Sequence, residues 1–138
     1  MEKELMTKET AEVKVPGTTV LGLRPTKVTL AGFTKIATLV KSSSRYEVYD
    51  LSLENLVMSM TILYEGESTV GHSHNEVEEV YLVVEGKGEI QLGEREKEDV
   101  ASGDIVMIPQ GTFHRVFNKG KGDLRLISLF EKYQGRGK

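Results

Sequence analysis

From Tyr46 onward the chain is a succession of short apolar runs, each closed by Gly, Asp, Asn or Pro. They read YEVYDL, ENLVMSMTILY, EEVYLVVEG, GEIQLG, GDIVMIP, TFHRVFN and LRLISLF. β-Branched and aromatic residues fill them, which is the composition of strands between turns. No helical spacing of ordinary length follows residue 41, so the expected class is all-β, a sandwich or barrel of short strands. Upstream the pattern changes. Residues 1–14 alternate charges and read as a flexible tail. Residues 15–45 are apolar but broken by Pro16, Gly17, Gly22, Pro25 and Gly32. Short extended pieces with one helical turn near 33–40 are expected there, forming an arm that packs on the barrel or on a partner subunit. The barrel itself is assigned to residues 46–138.

Composition narrows the function classes. The chain has 138 residues, a formal charge of −3 and no cysteine. One domain of this size can bury a moderate core. Disulfides and thiolate metal sites are excluded. Lys and Glu are mixed throughout, so neither a nucleic-acid footprint nor a polybasic membrane patch is expected. No apolar run approaches the ~20 residues of a membrane span. The charged N-terminus lacks the apolar stretch of a signal peptide, so a cytoplasmic location is expected.

The candidate chemistry lies in the three histidines. Two of them, His72 and His74, stand one residue apart in GHSHNEVEEVYLVVEG, and the third, His114, follows the turn at 109–111. On a strand, His72 and His74 would project to the same face. Parity likewise allows only one of Glu78 and Glu79 to face them. Three imidazoles and a carboxylate suit one divalent transition metal per chain: Fe, Zn, Mn, Ni or Co.

The spacing G-x5-H-x-H-x4-E-x6-G is filled by Gly66, His72, His74, Glu79 and Gly86. The spacing G-x5-P-x-G-x2-H-x3-N is filled by Gly103, Pro109, Gly111, His114 and Asn118. Together these resemble the two motifs of the cupin superfamily. The resemblance implies a single-domain cupin, a small jelly-roll-type β-barrel with an N-terminal extended arm. It implies metal ligands His72, His74, Glu79 and His114, and thereby selects Glu79 over Glu78. The motif glycines and Pro109 have a structural reading as turn residues, and Asn118 as a partner for backbone groups.

Within the superfamily, the run from Tyr46 to Ile90 resembles the archaeal cupin-type glucose-6-phosphate isomerases, although Val70 stands where those enzymes often carry a lysine. That likeness implies a metal-dependent sugar-phosphate (aldose–ketose) isomerase, with Glu79 and Tyr81 catalytic. Tyr49 (or Tyr46), Thr61, Thr69 and Gly71 would then bind the substrate. The alternatives are an Fe(II)-dependent dioxygenase using the same ligands and a non-catalytic cupin that binds a small ligand. Multiple donors or cations opposite the metal would favour phosphate, and an apolar pocket would favour the oxygenase. A small-molecule substrate is the expected partner in the enzyme readings. Exposed sheet edges are usually covered, so a two-fold homodimer is expected.

Overall fold

The computed structural model describes residues 25–73, 77–94 and 96–133 in full, and residues 13–15 and 18–20 by backbone. The elements are β1 (Val13–Val15), β2 (Thr18–Val20), α1 (Phe33–Ile36), β3 (Thr38–Ser42), β4 (Tyr46–Ser52), β5 (Leu56–Leu63), β6 (Glu79–Glu85), β7 (Lys87–Leu92), β8 (Glu96–Ala101), β9 (Ile105–Ile108), β10 (His114–Asn118) and β11 (Leu124–Glu131). A large sheet runs β1-β2-β4-β5-β11-β6-β9, with β3 also on β4, and a small sheet runs β10-β7-β8. Their strand pairs are antiparallel except β2 with β4. The chain adopts the expected all-β, jelly-roll-type class, and it does so in two sheets.

Strand parity separates two apolar layers. On β4, Tyr46 and Val48 face the small sheet. There they join Leu63, Val83, Ile108, Leu124 and Leu126 of the large sheet and Ile90, Val100 and Val116 of the small one. This is the barrel interior. The alternate positions Tyr49 and Leu51 face the other way and pack with Met60, Ile62 and Ile127. Phe33 of α1 covers that second layer with Val28 and Ala37. A single helical turn is unstable alone. α1 is held by the buried ring of Phe33 and by short-range bonds, among them Gly32 N–H to Thr29 Oγ1 at 3.0 Å.

Two devices join the sheets. The chain leaves β6 for β7 at Gly86, where φ is +92° and an added Cβ would stand 2.7 Å from the carbonyl oxygen of Asp123. Only glycine fits that corner without strain. Asn118, at the end of β10, donates through Nδ2 to the carbonyls of Leu63 (2.9 Å) and Gly122 (2.8 Å). Its Oδ1 accepts the N–H of Gly120 at 3.0 Å.

The structure departs from the hydropathy pattern in two places. β8, the segment EKEDVA, carries no apolar run because it is an edge strand bonded only to β7, and among its residues Val100 alone is buried. Its charges belong to a solvated edge, where they discourage further pairing. Ser73, Val77 and Glu78, the described residues between His72 and β6, belong to no strand. His72 makes a single bridge to His114, and β6 begins at Glu79.

The Phe33→Ala substitution should cost about 3–5 kcal/mol, the usual range for a buried aromatic, in urea denaturation. Leu30→Ala, a few residues away but 52% exposed, should change stability by less than ~0.5 kcal/mol. Equal, small effects would show that the 25–37 segment contributes little to the fold.

Candidate metal centre

Residues 67–72 run antiparallel to β10. Asn118 N–H donates to Glu67 (2.8 Å), Thr69 N–H to Val116 (2.9 Å) and His72 N–H to His114 (3.0 Å), with His114 N–H returning to His72 at 2.9 Å. Three residue steps from Thr69 to His72 oppose two from Val116 to His114, so the segment bulges at Val70 and Gly71. Such a bulge re-aims the next side chain. Gly71 sits there with φ +89°, and a Cβ would lie 2.7 Å from the Phe113 ring. Its role in the fold is therefore steric and conformational. Arg115 braces the same loop, its Nε donating to the Thr69 carbonyl at 2.9 Å and its guanidinium to Ser68 Oγ at 3.0 Å.

The bulge sets His72 beside His114, with ring centroids 4.5 Å apart at 77°. Glu79, the first residue of β6, comes from the facing sheet. One ligand atom from each of His72, Glu79 and His114 lies within 4.8 Å of the others. Glu79 and His114 are buried, whereas His72 is exposed and Glu78 points to solvent. His74 lies outside the described residues.

The protonation of His114 follows from its partners. Its Nδ1 is 2.9 Å from the Thr112 carbonyl. A carbonyl only accepts, so Nδ1 carries the hydrogen. Nε2 then faces Glu79 Oε1 at 2.9 Å. A bare imidazole nitrogen and a carboxylate oxygen repel at that distance unless a proton or a cation lies between them. An imidazole tied through one nitrogen to a carbonyl and offering the other beside a carboxylate is the usual arrangement at a metal. The donor set fits a divalent transition ion.

The remaining sequence candidates separate by face. Tyr81 shares the inner face with Glu79, and its ring stands 5.5 Å from His114 at 87°. Thr61 also faces inward, opposite Val48 and Leu126. Thr69 accepts the Val116 N–H through Oγ1 at 3.0 Å, which fixes the oxygen and leaves its O–H to donate. Tyr49 is on the wrong side of β4. It packs in the outer layer and donates to Glu47 at 2.6 Å, as Tyr64 does at 2.5 Å. Parity puts Tyr46 inside the barrel and Tyr49, the residue expected to bind substrate, in the outer layer. The bonds from Tyr49 and then Tyr64 lower the Glu47 pKa, with a smaller contribution from Arg125. The same carboxylate raises Tyr49 and pushes Tyr64 up to about 12.

Sequence reading passed over a polar row on the inner face. Asp50 pairs with Ser59, Ser59 with Ser128, and Ser128 with Tyr81. These four positions form one line across β4, β5, β11 and β6, at about 4.8 Å per strand. Counting alternate residues from Tyr46 would have found Asp50.

A sequence model of the Cupin domain family matches residues 59–130. An uncharacterized protein of Methanocaldococcus jannaschii is 37% identical over 62 residues, 45% of this chain and 49% of that protein. The chain thus spans about half the length of this curated relative. Among solved structures, a Bacillus halodurans protein shares 27% identity at a TM-score of 0.65, over 82% of this chain and 85% of its own. KdgF from a Halomonas species has the same fold at 22% identity and a TM-score of 0.61, over 68% of this chain and 86% of its own.

The exposed histidine of the cluster gives a clean test. His72→Ala removes a donor without opening a core cavity. It should weaken metal binding by more than the roughly 10–100-fold that loss of an outer partner costs, with circular dichroism unchanged. His74→Ala should do the same. Full metal occupancy in either variant would remove that residue from the ligand set.

A second test concerns the outer carboxylate. The Tyr64–Glu47 bond needs a protonated phenol. Its stabilising effect is therefore complete below pH 10 and fades as pH rises from 10 to about 12. The Glu47 contribution has the opposite sense, being present above its ordinary 4.5 and lost as pH falls through its lowered value. In an alkaline absorbance titration two of the five tyrosines, Tyr49 and above all Tyr64, should ionise late, and Glu47→Gln should return them toward 10. A titration identical in the two proteins would contradict the pairing.

Proposed function

Since the chain belongs to the cupin family, we propose that it is a metal-dependent enzyme acting on a small oxygen-rich molecule, and that the reaction is aldose–ketose isomerisation. The observation that carries the metal reading is the convergence of His72, Glu79 and His114, with Nδ1 of His114 committed to Thr112 and Nε2 turned to Glu79. The reaction class rests on the likeness of the run from Thr69 to Tyr81 to the archaeal cupin-type isomerases. His72, His74, Glu79 and His114 would hold the metal, which when bound polarises the carbonyl and hydroxyl oxygens of an open-chain sugar.

The wall chemistry supports a hydroxylated substrate. Tyr81 and Ser128 stand half-buried and paired on the inner face, and a hydroxyl can both donate and accept; Ser59 and Asp50 continue that row as buried polar groups. The described residues facing inward on β4, β5, β6, β9, β10 and β11 include no lysine or arginine. The sugar's carbonyl end therefore enters the barrel, and a phosphate on its far end stays at the mouth. In this reading Glu79 removes the C2 hydrogen as a proton and returns it to C1, while the hydroxyl proton moves from O2 to O1. Tyr81 donates a hydrogen bond to the sugar oxygen that gains charge.

Metal-loaded protein should interconvert glucose 6-phosphate and fructose 6-phosphate, or another pair in a panel of hexoses, pentoses and their phosphates. Glu79→Gln keeps an oxygen donor and removes basicity. At equal metal content it should lower turnover by about 10²-fold or more. An inactive, fully metallated wild type across the panel would reject isomerisation. A loss that tracks metal content alone would make Glu79 a ligand and not the base.

A further inference from the structure

The loop that carries His72 breaks its ladder with β10 at one carbonyl. Ser68 lies opposite Phe117, and Thr69 N–H donates to the Val116 carbonyl at 2.9 Å. In a regular antiparallel pair the Val116 N–H would return to the Thr69 carbonyl. Here it goes to the Thr69 hydroxyl oxygen, at 3.0 Å. The displaced carbonyl accepts from Arg115 Nε instead, at 2.9 Å, and a second guanidinium nitrogen donates to Ser68 Oγ at 3.0 Å. The guanidinium carbon stands 4.9 Å from the centre of the Phe117 ring. The stem of Arg115 lies along Gly71, where an added Cβ would be 3.2 Å from the Arg115 Cβ. One side chain thus replaces the ladder bond that the bulge removes. Without it the Thr69 carbonyl loses its partner, and the regular register, which turns His72 away, would restore one.

We propose that Arg115 is a positioning residue of the metal centre, holding the bulge that aims His72. The role rests on the reading of His72, Glu79 and His114 as metal ligands and is independent of the reaction. Strand alternation supports it: His114 and Val116 face the barrel interior, so Arg115 between them works on the loop from outside. The planar guanidinium reaches a carbonyl and a hydroxyl together, which the single ammonium of lysine does not reproduce. Charge supplies a discriminating sign. Arginine stays charged, and a cation beside the centre repels a divalent ion. If Arg115 acted by charge alone, its removal would tighten metal binding. If it holds the loop, its removal loosens metal binding.

The test is the zinc affinity of the full chain, measured by competition with a chelator. Arg115→Met keeps an apolar stem against Gly71 and Phe117 and removes the donors. It should weaken zinc binding roughly 10–100-fold, the usual cost of losing a supporting group, with circular dichroism unchanged. In a His72→Ala background the same substitution should change affinity by less than ~3-fold, because the brace then has no ligand to aim. Arg115→Lys restores the charge without the fork and should stay weakened. X-ray absorption of zinc-loaded Arg115→Met should show one imidazole fewer than wild type. Ser68→Ala deletes only the second anchor. It should give a smaller loss of the same sign, and it decides the matter if Arg115→Met fails to fold. Zinc binding by these variants as tight as wild type, or tighter, would overturn the proposal. So would an undiminished loss in the His72→Ala background, or full recovery by Arg115→Lys. A wild type that binds no zinc or other divalent transition ion would remove the metal reading and this role together.

Discussion

The candidate centre depends on a reciprocal pair of backbone hydrogen bonds between His72 and His114. They dock an irregular loop against β10, and through β10 against the small sheet. The bulge just before the pair turns His72 toward its partner. Without that bulge the side chain would follow strand alternation from Thr69 and leave the cluster. Gly71 is the one residue that satisfies both the positive φ and the ring of Phe113 lying against it. The glycine in front of the first histidine thus belongs to the metal chemistry although it offers no donor.

The rest of the site follows from parity. Glu79 and Tyr81 alternate with outward-facing Val80 and Leu82, so one register puts a carboxylate at the ligands and a phenol beside His114. A slip of one residue would exchange them for aliphatic side chains. The same alternation aligns Asp50, Ser59 and Ser128 with Tyr81 and leaves Leu82, Ile105, Met107 and Leu129 on the outer face. Inner wall and outer face are two consequences of one sheet register.

Strands with apolar alternation were legible in the sequence, and so was the family, because two motifs with fixed spacing survive any shift in strand ends. What escaped was set by tertiary context. β8 looks like loop because an edge strand can be almost wholly charged. Tyr49, with Tyr46 as its alternative, is named by the likeness to the isomerases, and nothing local says which layer of β4 faces the candidate centre. Thr69 reads as a substrate donor, and its oxygen also accepts a backbone N–H of β10, a bond that only the pairing of the loop reveals. The bulge itself is invisible until the loop is paired with β10. Asp50 escapes notice because an acidic residue near a strand end reads as surface, whereas parity from Tyr46 buries it.

The central claim is that His72, His114 and Glu79 bind one metal ion together. X-ray absorption at the metal edge of the stoichiometrically loaded protein tests it most directly. The account predicts a first shell of nitrogen and oxygen at about 2.0–2.2 Å, with outer-shell scattering from at least two imidazole rings. A shell of oxygen alone, without imidazole scattering, would contradict it.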